Sequence, residues 1–220
     1  YMLFNEKLFR FEIYRTCEGN YLFLDLHHIV ADGTSLAIIM NDINRAYSGE
    51  KLEPETYTSY DLALDNRDAL AGDIYKNAEG YYRSVFENAG GSIRFYPDKS
   101  GAVPTAELYR RETAEISVQG VKEFCKKHGI TENVFFISAF GITLGKYNFK
   151  KDAVFTTIYH GRNDSRLSET VGMLVKTLPV YCNFAGSTEQ CLTEVQKQLI
   201  NSMNNDIYPF SQIRHEFNIK

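Results

Sequence analysis

No C-x-x-C pair occurs among the four cysteines, Cys17, Cys125, Cys182 and Cys191, which argues against a zinc ribbon or a thioredoxin-like redox site. Disulfide staples are not needed either, because 220 residues with 44% hydrophobic side chains bury a core without them. The four are read as reduced thiols, mostly packing residues. No apolar run approaches the roughly 20 residues that span a bilayer. There is no basic excess: 24 Lys and Arg against 28 Asp and Glu leave a net charge of −4. That balance argues against nucleic acid as the main partner. The start, Tyr1-Met2-Leu3-Phe4-Asn5-Glu6, lacks the basic region and long apolar core of a signal peptide. Repeats and low-complexity tracts are also missing. The chain reads as a cytoplasmic globular protein.

What is present is a mixed α/β order. Leu8 to Tyr14 alternates as a strand, Cys17-Glu18-Gly19-Asn20 turns, and Tyr21 to His28 forms a second strand. The second is nearly continuous in apolar residues and is expected to be central and buried. A helix follows Asp32-Gly33, capped by Thr34 or Ser35. Two more helices are expected over Tyr60–Leu70 and Ile74–Asn88, the latter ended by Gly90-Gly91. A loop over 90–106 and a strand over Leu108–Val118 come next. Ser117 or Gln119 opens a helix to Lys127, closed by His128-Gly129. Thr131 caps a longer buried helix to Tyr147. Ala153–His160 reads as a strand and Gly161–Ser165 as a turn. Leu174–Phe184 is extended around Pro179, which prefers an edge or bulge. Helices over Ser187–Asn204 and Pro209–Phe217 close the chain.

The sharpest local feature is His27-His28-Ile29-Val30-Ala31-Asp32-Gly33. Loops after strands are where rigid sheets hold reactive groups. Adjacent strand residues face opposite sides, so one histidine is expected to be functional and the other structural. A neutral imidazole accepts a proton near neutral pH. Asp32 is placed to fix the loop through an ion pair or backbone amides. Gly33 permits backbone angles that a side chain forbids. The plainer reading is a packed, hydrogen-bonded histidine. A metal site on His27, His28 and Asp32 is disfavoured, because adjacent strand residues diverge.

This segment, followed by Thr34-Ser35-Leu36, resembles the H-H-x-x-x-D-G signature of condensation domains of nonribosomal peptide synthetases, members of the chloramphenicol-acetyltransferase-like superfamily. Further segments fall in the family's order. Leu8-Phe9-Arg10 resembles its L-F-R strand. Tyr57-Thr58-Ser59-Tyr60-Asp61-Leu62-Ala63 resembles Y-x-D-Y-A. Gly161-Arg162 with Val171-Gly172-Met173-Leu174-Val175-Lys176-Thr177-Leu178-Pro179 resembles S-G-R followed by I-G-x-F-V-N-T-L-P. Tyr208-Pro209-Phe210-Ser211-Gln212-Ile213 resembles Y-P-F-E-x-L.

The resemblance implies a chloramphenicol-acetyltransferase-like mixed sheet with flanking helices. Residues 1–50 would be the end of a first lobe carrying the motif, and 51–220 most of a second. With 26 residues before His27, the chain is expected to be a piece of a two-lobed domain whose active site is a tunnel between lobes. It would expose apolar surface and be open to self-association there. The implied reaction is peptide bond formation between thioesters on donor and acceptor peptidyl carrier proteins, beside an adenylation domain. Substrates would arrive on phosphopantetheine arms, with no tightly bound cofactor.

His28 would be the catalytic residue, as general base or as positioning partner. His27, Asp32, Gly33 and Ser35 would support it. Asp32 would pair with an arginine whose family motif is missing from this chain. Ser35 is expected to cap a helix rather than face the reacting carbonyl, and Arg162 to form a surface pair rather than line the cleft. Lys176 replaces an asparagine of the family and is taken as an edge residue. Outside the motif, His128 is read as a helix C-terminal residue, His160 as packed and His215 as surface. Two other functions share these residues: epimerisation of a carrier-bound aminoacyl group, and a non-catalytic lobe that docks a carrier. The run Val175–Pro179 resembles the condensation type more than the epimerising one. Heterocyclisation is disfavoured, since those domains replace the histidine pair with aspartate.

Overall fold

The computed structural model describes residues 2–87, 89, 115–217 and 219. The expected loop over 90–106, the Gly90-Gly91 stop and the bulk of the strand over 108–118 lie outside these residues. Of that strand's end, Glu115–Ser117 is not extended ladder, and Val118 already opens a helix.

Local signals account for most boundaries. Strands β1 (Phe9–Arg15) and β2 (Asn20–Leu26) form an antiparallel hairpin, with Phe9 opposite Leu26 and Arg15 opposite Asn20. Its turn is tied by Thr16 Oγ1, which accepts from the N–H groups of Glu18 and Gly19. Helices α1 (Gly33–Tyr47), α2 (Ser59–Leu70) and α3 (Asp73–Phe86) follow. Thr58 and Asp61 make a reciprocal capping box at the start of α2. Helix α4 (Val118–His128) is capped by Ser117 and ends on Gly129 in the left-handed region, φ 62°. Helix α5 (Glu132–Tyr147) is capped by Thr131. Strands β3 (Asp152–Tyr159) and β4 (Lys176–Asn183) pair in a second two-stranded sheet. Helices α6 (Thr188–Asn204), with a Ser187–Gln190 capping box, and α7 (Phe210–Glu216) complete the order.

The chain divides into two compact units, residues 1–73 with 158–176, and residues 74–157 with 177–220. In the second, one core joins α4, α5, β4 and α6 through Cys125, Val134, Ile137, Val180, Cys182, Cys191 and Val195. Another gathers Ala78, Tyr82 and Phe86 of α3 with Val154, Tyr208 and Ile213. Helix α5 sits close because it is notched: a Cβ on Gly145 would lie 2.4 Å from the Phe184 ring. Pro179 is buried in β4; among the described residues β4 pairs only with β3, so an edge is left where its missing N–H is tolerated.

In the first unit the expectation for β2 fails. Phe9, Phe11 and Ile13 share one hairpin face with their partners Leu26, Leu24 and Leu22, and this apolar face is open. Ile13 is 76% exposed, and Phe9, Phe11 and Leu22 are exposed as well. Apolar continuity in β2 marks a strand that wants cover on both faces, and the described residues supply none over this one.

Candidate functional site

The histidine motif lies just past β2, not within it. The strand ends at Leu26, and the His27 N–H donates to Leu8 O at 2.9 Å, the last tie to the hairpin. The chain then turns through His28, Ile29 and Val30. Val30 N–H closes that turn on His27 O at 3.0 Å. His27 Nδ1 accepts from Ile29 N–H at 3.0 Å. In the neutral ring this leaves the proton on Nε2. His27 is half-buried and holds the turn. His28 is exposed at its head, and no other described residue hydrogen-bonds its ring. The strand-alternation argument therefore does not apply to this pair, since both histidines stand past the strand.

Below the turn, Asp32 is 3% exposed and caps α1. Its Oδ1 accepts from the N–H and Oγ–H of Ser35, both at 2.8 Å. Its Oδ2 accepts from Leu174 N–H at 3.1 Å. Arg162 Nη2 donates to Oδ1 at 3.1 Å and reaches Oδ2 at 3.4 Å. Burial pushes the Asp32 carboxyl up, but the donors of Ser35 and Leu174 and the Arg162 charge outweigh it and hold the carboxyl below its ordinary value.

Three expectations are corrected here. Asp32 does have an arginine: Arg162 supplies it from 130 residues away. Arg162 is not a surface pair, since its side chain is 6% exposed and that of Asp32 0%. The cap of α1 is Asp32, not Thr34 or Ser35. A carboxylate three residues ahead of the Ser35 N–H has the reach of a cap, and Ser35 is already inside the helix. Ser35 is fully buried and used differently. Its hydroxyl proton is shared between Asp32 Oδ1 and Gly172 O, 2.8 Å from each, while its oxygen accepts from Gly172 N–H and Arg162 Nη2.

Arg162 also clamps its own loop, donating from Nη1 to Leu167 O at 2.6 Å and Thr170 O at 2.7 Å. It leaves β3 through Gly161, whose φ of 70° is left-handed and whose Cβ position falls 1.8 Å from Leu174 O. Only glycine fits there. Gly33, by contrast, is an ordinary helical residue, and a Cβ on it would meet nothing within 4 Å, so the expected backbone need is not what keeps a glycine there. His160 is exposed rather than packed. Its Nδ1 accepts from Arg162 N–H at 3.0 Å, the same device as His27. Lys176 opens β4, half-buried; His215 is exposed in α7; His128 ends α4 against the Phe124 ring. Sequence reasoning missed the Arg162 role and the Gly172 anchor. The one signal for the former was the place of Arg162 beside a glycine in an S-G-R-like segment. Among the described residues, no three His, Cys, Asp or Glu side chains gather as a metal site requires. No helix among them is long and apolar enough to cross a membrane.

This arrangement holds one exposed imidazole on a turn whose base is a buried ion pair. Known proteins resemble this chain in sequence and in fold. Surfactin synthase subunit 1 of Bacillus subtilis is 28% identical over 222 residues, covering 96% of this chain and 6% of that protein. The first condensation domain of the calcium-dependent antibiotic synthetase, solved with a substrate analogue, superposes with a TM-score of 0.70 at 17% identity, covering 96% of this chain and 49% of that one. The X-domain complexed with OxyB from teicoplanin biosynthesis gives 0.78 at 18% identity, over 100% of this chain and 52% of that one. The chain thus spans about half the length of these solved chains and a small part of the curated relative. Structural likeness at such identities shows the chloramphenicol-acetyltransferase-like fold. The family model named Condensation domain matches residues 1–220, and the chain belongs to that family.

Proposed function

We propose that this chain carries the reactive histidine of a peptide-bond-forming acyl transfer between two carrier-bound thioesters. The observation that carries the proposal is the exposed His28 ring at the head of a turn fixed on both sides, by His27 Nδ1 and by the buried Asp32–Arg162–Ser35 cluster. In the reaction the acceptor's amine attacks the donor's thioester carbonyl. A C–N bond forms, the C–S bond breaks, and the donor arm leaves as a thiol. The proton lost by nitrogen passes to the His28 imidazole and on to the departing sulfur. A neutral amine is already nucleophilic, so orientation supplies much of the barrier reduction, and proton transfer adds about 10²–10⁴-fold. No acyl-enzyme is needed, and no nucleophile elbow occurs in the sequence.

In this reading Asp32 and Arg162 are structural, Ser35 ties α1 to the Gly172 backbone, and Gly33 leaves open space beside the turn. Residues 1–50 form the end of a first lobe and 51–220 most of a second. Donor and acceptor carriers and a neighbouring adenylation domain are the partners, and substrates come on phosphopantetheine arms. The X-domain's complex with OxyB keeps a second reading in play, a lobe that docks a protein without turnover. The test uses the parent synthetase with loaded donor and acceptor carriers, read by intact mass and chiral analysis. A dipeptide on the acceptor carrier that falls at least about 10²-fold in His28→Ala is expected. An inverted α-carbon without transfer would mean epimerisation. Carrier binding with no turnover in either form would replace catalysis by docking, and full turnover in His28→Ala would remove this histidine from the reaction.

A further inference from the structure

Beside the histidine turn, within the first unit, lies an apolar groove of about 370 Å³. One wall is the turn itself, Ile29 and Val30. A second is Gly172-Met173-Leu174. The third is one face of α2, where Ser59, Ala63 and Asn66 stand a helical turn apart. Ile29 is 53% and Met173 42% exposed, so both present side chain to an incoming group. No charged residue lines the groove.

The walls are not independent. Leu174 N–H donates to Asp32 and Gly172 N–H to Ser35, so the backbone on either side of Met173 hangs from the cluster that bases the histidine turn. Gly172 also lies against α2, where a Cβ would come within 3.1 Å of Ser59. Two of the groove's walls therefore hang from the same buried contacts that base the histidine turn, and Ile29, next to His28 in the chain, lines it.

We infer that this groove receives the side chain of an aminoacyl thioester substrate and selects for a neutral, apolar one of leucine to phenylalanine size. The inference rests on the proposed function and adds the substrate class. An ammonium or carboxylate finds no counter-charge in it, whereas an aliphatic group meets Ile29, Ala63 and Met173. Ala63 is the smallest side chain on the α2 wall, so a larger one there removes volume; Met173 is a long lining residue, so shortening it adds volume.

The test is binding, separate from turnover. Glycyl, leucyl and phenylalanyl N-acetylcysteamine thioesters are titrated against the ¹⁵N-labelled chain, which excludes most of the carrier arm as the source of affinity. The leucyl thioester is expected to bind about tenfold tighter than the glycyl one, with shifts at Ile29, Ala63 and Met173 amides. Ala63→Phe is expected to remove that preference, and Met173→Ala to move it toward phenylalanyl. Two variants of opposite effect keep the test alive if one misfolds. Equal affinities for all three thioesters, or a preference that neither variant alters, overturns the inference. His28→Ala should retain the preference. If the parent synthetase makes no dipeptide while the preference persists, the catalytic reading fails and the groove stands. Turnover without any preference overturns the groove and leaves the catalytic reading in place.

Discussion

Arg162→Met isolates the ion pair beneath the histidine turn. The variant keeps an apolar stem of similar length and removes the guanidinium. Lost with it are donations to Asp32, Ser35, Leu167 O and Thr170 O. Asp32 stays buried and charged, which for a broken buried pair costs about 3–5 kcal/mol. It keeps three donors, two from Ser35 and one from Leu174, so the lower end, about 3 kcal/mol, is expected. That is a large share of a domain's 5–15 kcal/mol or so. Asp32→Asn should cost about as much, since its new amide N–H would face the Leu174 N–H donor. The double variant should lose about 3–4 kcal/mol rather than the sum of near 6, because the second change removes an orphan left by the first. Urea unfolding followed by far-UV circular dichroism measures all three at matched slope. The sign with pH is fixed. A carboxyl held below its unfolded value contributes stability above about pH 3.9 and loses it as pH falls through the lower folded value. The gap between wild type and Asp32→Asn should therefore close below that pH. A cost under about 1 kcal/mol for Arg162→Met, or full additivity in the double variant, would mean that the pair does not hold the turn.

Gly161→Ala must push Leu174 O out of its place, so thermal unfolding should show a loss above about 2 kcal/mol, with dipeptide formation falling alongside. Phe149→Gly should act the other way. Phe149 is 99% exposed at φ 56°, in the position after the α5 cap where glycine is favoured, and relief of the left-handed strain should raise stability by about 1 kcal/mol. Thiol titration should find Cys17 reacting at once and Cys125, Cys182 and Cys191 only on unfolding; fast labelling of more than one thiol contradicts the burial. The open hairpin face should bind a hydrophobic dye, and Ile13→Lys should cut the signal.

Helices were legible because their causes are local, and so was the Thr131 cap; Ser117 was one of two candidates, and Ser187 was read as a helical residue rather than as the cap it is. Thr131, Ser117 and Ser187 accept from N–H groups three residues on, a contact that spacing alone specifies. Strand extents in the hairpin were read to within two residues for the same reason. The burial of β2 was not legible. An apolar run states a preference for cover, and only the fold says whether cover is there. The cap of α1 shows the limit within a single motif. Asp32, Thr34 and Ser35 all carry capping oxygens, and the burial of Ser35 against Gly172, 137 residues on, decided between them. The family was readable from ordered motifs. The partner of Asp32 was not, because an ion pair between residues 130 apart depends on where two loops of the first unit meet in the packed chain and not on spacing along it. Turns, caps, helical faces and the residue types of the site thus follow from neighbours along the chain. Which of those residues meet does not, since burial and long-range hydrogen bonds are properties of the packed chain and not of any segment of it.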